Sequence, residues 1–90
     1  PIEQLRQIRI EKMNKLREQI DEIDNKIGLL LEKRTVLAKN LIKQKNEQGV
    51  PVEDKEREQS IISRVSETTH LPKKFIEDIY TIIFNHNKNA

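Results

Sequence analysis

From Met13 the apolar residues recur at Leu16, Ile20, Ile23, Ile27, Leu30, Leu37 and Leu41, with steps of 3, 4, 3, 4 and 3, then a double step, then 4. Alternating threes and fours place these side chains in one narrow seam along a helix, the pattern of a helix that packs lengthwise on another. No breaker follows until Gly49 and Pro51, so the spacing predicts a helix over 3–47. Gly28 falls on the outer side of the seam, where glycine costs about 1 kcal/mol against alanine. At 1.5 Å per residue such a helix is about 65 Å long. A compact chain of 90 residues has a radius of gyration of only about 12 Å. The residues left over are too few to cover the rod, and the seam is expected to pack against a second copy of itself, in a homodimer.

Two shorter helices follow. Gln48-Gly49-Val50-Pro51-Val52 has the composition of a loop. Asp54 is a natural N-cap for a second helix over 54–67, whose inner face carries Ile61, Ile62 and Val65. The run from Ser66 to Leu71 is expected to connect it to a third helix over 72–88, opened by Pro72, which suits a first turn. Its apolar face comprises Phe75, Ile76, Ile79, Tyr80, Ile82 and Ile83. The expected fold is all-α, a single domain over 1–90 with three helices per chain and a very long first one.

Composition narrows the function. Seventeen Lys and Arg against fifteen Asp and Glu leave a net charge of +2, which argues against a dedicated nucleic-acid binder. Without cysteine there is neither a disulfide framework nor a thiolate metal site. No apolar run approaches the roughly 18 residues of a membrane span, and no leader pattern is seen, so a cytoplasmic protein is expected.

The missing member of the seam is position 34, and it is arginine. A guanidinium keeps its charge in any protein setting, so an inward Arg34 needs an anion beside it. Lys45 lies eleven residues on, close to three turns, and points to a similar side. The second helix repeats the anomaly: Asp54, Arg57 and Glu58 continue the stripe of Ile61, Ile62 and Val65. Asn87 lies on the line Ile76, Tyr80, Ile83. Arg17 is seventeen residues, about 25 Å, before Arg34, too far to share a small ligand within one chain but within reach in an antiparallel or crossed dimer. Two readings stay open. The inward charges form structural ion pairs, or they line a pocket for a small polycarboxylate, which arginine grips through paired hydrogen bonds.

Other candidates are weaker. His70 and His86 lack metal-ligand spacing, and Asp21 and Asp24 sit on a charged, solvated face. No metal site and no cofactor site is expected. Lys73 and Lys74 read as surface charges. No nucleophile elbow, phosphate loop or Walker motif is present, so covalent catalysis has no evident nucleophile.

Leu16-Arg17-Glu18-Gln19-Ile20-Asp21-Glu22-Ile23-Asp24 resembles the opening of the all-helical (AroQ-type) chorismate mutases. The resemblance continues through Leu31-Glu32-Lys33-Arg34 and Ile42-Lys43-Gln44-Lys45, and is strongest from Val50 to Glu58. The combination of Arg17, Arg34, Lys45, Asp54, Arg57 and Glu58 at these spacings is what makes it specific. It implies an intertwined homodimer whose sites draw on both chains, and conversion of the dicarboxylate chorismate to prephenate. By position, Arg17 would enter from the neighbouring chain and bind a carboxylate, and Arg34 would bind a carboxylate in its own chain's site. Lys45 would donate to the ether oxygen of the breaking bond. Arg57 would hold the ring carboxylate region, and Glu58, with the backbone near Asp54, would accept from the substrate hydroxyl. Asn87 falls where the family has a small polar residue that touches a carboxylate. The family's usual glutamine, one turn beyond, falls at position 91, past Ala90. A form lacking that donor is expected to be a weaker catalyst, by about 2.7–4 kcal/mol. The alternatives are a non-enzymatic helical dimerisation module and a related chorismate-binding lyase.

Overall fold

The computed structural model describes residues 1–88. Among them there are three helices and no strand: α1 (Ile2–Gln48), α2 (Lys55–Thr69) and α3 (Lys73–Lys88). None is long and apolar enough to cross a membrane. The chain divides into two compact units, Pro1–Arg34 and a second that begins at Thr35.

The first unit is the helical stretch that carries most of the seam. α1 is unbroken for 47 residues and buries none of them. Ile20, Ile23, Ile27 and Leu30 are 55%, 55%, 49% and 65% exposed. A Cβ at Gly28 would meet nothing, consistent with a glycine on an open face.

The second unit holds the core. Ile61 and Ile62 of α2 pack with Ile76 and Phe84 of α3, with Val65 and Tyr80 at the margin. The Tyr80 and Phe84 rings lie 5.6 Å apart, tilted at 49°. The inner line of α3 is therefore Ile76, Tyr80, Ile83, Phe84 and Asn87, at helical spacing. This corrects the expected α3 face: Phe84 belongs to the core, whereas Phe75 and Ile82 are 51% and 71% exposed.

The connections follow from local chemistry. α1 ends in a Schellman motif: Val50 N–H donates to Lys45 O at 2.8 Å and Gly49 N–H to Asn46 O at 3.4 Å. Gly49 takes φ +70°, which costs glycine little. Asp54 caps α2 from extended backbone, its Oδ1 accepting from Arg57 N–H at 3.0 Å. α2 runs two residues beyond the expected 67. The Ser66, Thr68 and Thr69 hydroxyls donate to the carbonyls of Ile62, Arg64 and Val65 at 2.7–2.8 Å, so they are satisfied inside the helix. The break falls at His70, in the left-handed region at φ 60°. Pro72 sits just before α3 and supplies its carbonyl to Ile76 N–H at 3.2 Å.

Candidate functional site

The candidate residues divide between the two units. Arg17 is exposed and Arg34 half-buried, both on the part of α1 in the first unit. Lys45, Asp54, Arg57, Glu58 and Asn87 belong to the second.

Lys45 is held by its own helix end. Its carbonyl anchors the Schellman motif, and its Nζ donates to Val52 O at 3.2 Å across the loop. The ammonium is half-buried and cannot sweep the surface freely. The loop that Gly49 and Pro51 dictate thus places Lys45 next to the segment leading into α2.

The α2 stripe splits in its exposure. Glu58 is half-buried, while Asp54 and Arg57 are exposed in the isolated chain. The Arg57 backbone N–H is used by the cap, and its side chain is not part of the Ile61–Ile62 core. Asp54 has a clear structural task, since it receives the Arg57 N–H through Oδ1 and the Glu58 N–H through its carbonyl at 3.1 Å.

Glu58 is engaged by a residue that the sequence reading did not single out. Lys88 Nζ lies 2.7 Å from Glu58 Oε2 and 3.1 Å from Glu53 Oε1. The hydrogen bond to Glu58 is the main cause that holds the Lys88 ammonium above the ordinary lysine pKa; partial burial works the other way, and Glu53 adds to the rise. Lys88 was hidden because it is one lysine among many in a polar tail; only the fold shows that the last turn of α3 meets the first turn of α2.

Asn87 is buried, 8% exposed, at the end of the α3 inner line. It lines a cavity of about 470 Å³ together with Lys39, Ile42, Lys43, Asn46 and Glu47 of α1. Of the expected site residues Asn87 alone is among these. Lys39 and Lys43 add cations that the seam pattern gave no reason to select. His70 terminates α2. Lys74 pairs with Asp78 at 2.9 Å one turn on, an exposed i,i+4 pair, and this hydrogen bond raises its pKa.

The sequence profile of the chorismate mutase type II family matches residues 16–90. The chain belongs to this family. A chorismate mutase from Methanocaldococcus jannaschii is similar to it, 39% identical over 82 residues, which are 88% of this chain and 83% of that protein. No solved structure matches the chain. The type II chorismate mutase match begins one residue before Arg17 and spans all seven candidate positions, from the seam of α1 to Asn87 at the end of α3.

Proposed function

We propose that this chain is a chorismate mutase that rearranges chorismate to prephenate, the branch towards phenylalanine and tyrosine, as a cytoplasmic homodimer with two shared sites. The observation that carries the reading is the family match over 16–90, a span that includes Arg17, Arg34, Lys45, Asp54, Arg57, Glu58 and Asn87. The dimer is supported by the seam of α1, whose Ile20, Ile23, Ile27, Leu30, Leu37 and Leu41 are all exposed in the isolated chain. A stripe this long and apolar calls for a partner, and the register of threes and fours fits a second copy.

The reaction is intramolecular and pericyclic. The ether C–O bond breaks as a C–C bond forms, with six electrons moving in a ring, and no nucleophile or external proton takes part. A flexible dianion must first be held folded. Arg34, with Arg17 from the partner chain, clamps the carboxylates on rigid helices and supplies that orientation. Arg57 and Asn87 assist at the carboxylates. As the C–O bond opens, negative charge grows on the ether oxygen. The Lys45 ammonium, already restrained at Val52 O, meets that charge with little reorganisation and favours the transition state over the ground state. Glu58 accepts from the ring hydroxyl and fixes which way the ring faces.

The test is direct. The purified chain is mixed with chorismate, absorbance loss is followed, and the product is identified by NMR. Prephenate is the expected product. Release of pyruvate identifies a lyase instead, and unchanged chorismate favours the dimerisation module.

A further inference from the structure

Glu58 stands in the first turn of α2, its backbone N–H fixed on Asp54 O at 3.1 Å. Its side chain has three rotatable bonds, and the partner recorded for its carboxylate comes from thirty residues downstream. Lys88, in the last turn of α3, takes Oε2 at 2.7 Å and reaches Glu53 Oε1 at 3.1 Å with the same ammonium. Both partners of the short bond are mostly covered, with 27% of the Lys88 side chain and 22% of the Glu58 side chain exposed.

Two physical consequences follow. The bond to Oε2 fixes the plane of the carboxylate and directs Oε1 to be the oxygen that receives a hydroxyl. The ammonium also stands between two carboxylates that would otherwise both repel a dianionic ligand. We propose that Lys88 is a positioning residue: by holding Glu58 Oε2, it orients that carboxylate to accept the ring hydroxyl of the substrate. The proposal rests on the functional reading above. It ties the last turn of α3 to the reaction through Glu58, without contact between Lys88 and substrate.

A purely structural role predicts something different. Partly exposed ion pairs contribute little to stability, so the effect of losing Lys88 belongs in kinetics and not in folding. Lys88→Met, Lys88→Gln and Lys88→Arg are compared with the unaltered full chain, with Lys74→Met as a surface control. Each is assayed on chorismate and on an analogue lacking the ring hydroxyl. Lys88→Met is expected to lose about tenfold or more in kcat/KM on chorismate, and Lys88→Arg to recover most of it. On the analogue, Lys88→Met and the unaltered chain are expected to differ by less than about twofold, since the hydroxyl that Glu58 receives is gone. Circular dichroism and Tm are expected to change little, and Lys88→Gln gives the same comparison should methionine misfold. Activity of Lys88→Met within twofold on chorismate, or an equal loss on both compounds, overturns the role of Lys88 while leaving the function intact. An unaltered chain that leaves chorismate unchanged overturns the functional reading, and the role of Lys88 with it.

Discussion

Lys45 offers two explanations that one substitution separates. Its ammonium staples the loop by donating to Val52 O at 3.2 Å, which alone would account for a half-buried lysine. It is also the residue proposed to meet the charge on the ether oxygen. Lys45→Met preserves length and packing and removes the cation. A hydrogen bond from a charged donor contributes about 1.5–3 kcal/mol when buried; Lys45 is only half-buried, so a loss of about 1 kcal/mol is expected. In a domain of this size that lowers Tm by roughly 4–8 °C at fixed protein concentration. Stability of about 5 kcal/mol or more leaves only about one molecule in a thousand of such a variant unfolded, so the staple cannot by itself reduce turnover. Loss of the transition-state donor costs about 2.7–4 kcal/mol, or 10²–10³ in kcat. Thermal melts and steady-state kinetics on one sample read both quantities. A Tm drop with kcat within a few-fold of the unaltered chain would refute the catalytic assignment and leave only the staple.

Three further outcomes follow from the same account. Ile27→Glu sets a carboxylate in the middle of the α1 seam, where two copies would each bury an unpaired charge at several kcal/mol; sedimentation is expected to show monomers, and an intact dimer would place the interface elsewhere. Gly49→Ala forces φ +70° on a residue with a Cβ, although that Cβ meets open space, so the cost is conformational, about 1–2 kcal/mol, seen as a lower Tm with kcat unchanged in the folded fraction. The Lys88 ammonium is held above its ordinary value chiefly by Glu58, so its contribution is complete below the ordinary lysine range and lost as pH rises through the folded-state pKa. Because the pair is partly exposed that contribution is small: unfolding free energies of the unaltered chain and Lys88→Met are expected to differ little near neutral pH and to converge as the lysine deprotonates; a gap that widens with rising pH would contradict this.

The elements most legible in the sequence were those set by local chemistry. The breaker-free run ending at Gly49 marks α1, and Asp54 ahead of Lys55 and Glu56 marks the cap of α2, because spacing and capping need only neighbours in the chain. The end of α2 is not legible in the sequence, because Ser66, Thr68 and Thr69 suit turns as readily as back-bonded helix positions, and only the completed turn shows which. The apolar run around Phe75 to Ile83 fits more than one stripe, so spacing does not single out Phe84; packing against Ile61 and Ile62 selects the stripe through it. Glu58 stands out as a candidate from its place on the α2 stripe. Lys88 does not, since its meaning depends on a pairing thirty residues away. Exposure of Arg57 in the single chain is a property that periodicity cannot reveal, and a partner chain would change its surroundings.

The central claim is that each site is built from two chains, with Arg17 of one and Arg34 of the other on one substrate. Mixing two inactive variants tests it. Arg17→Ala and Arg34→Ala homodimers are each expected to lose orders of magnitude in turnover. After joint unfolding and refolding at equal amounts, half the dimers are mixed, and each mixed dimer carries one site with both arginines. Activity is then expected to return to about a quarter of the unaltered level. Mixed dimers that form, as native mass spectrometry would show, yet stay as inactive as their parents would contradict the shared site.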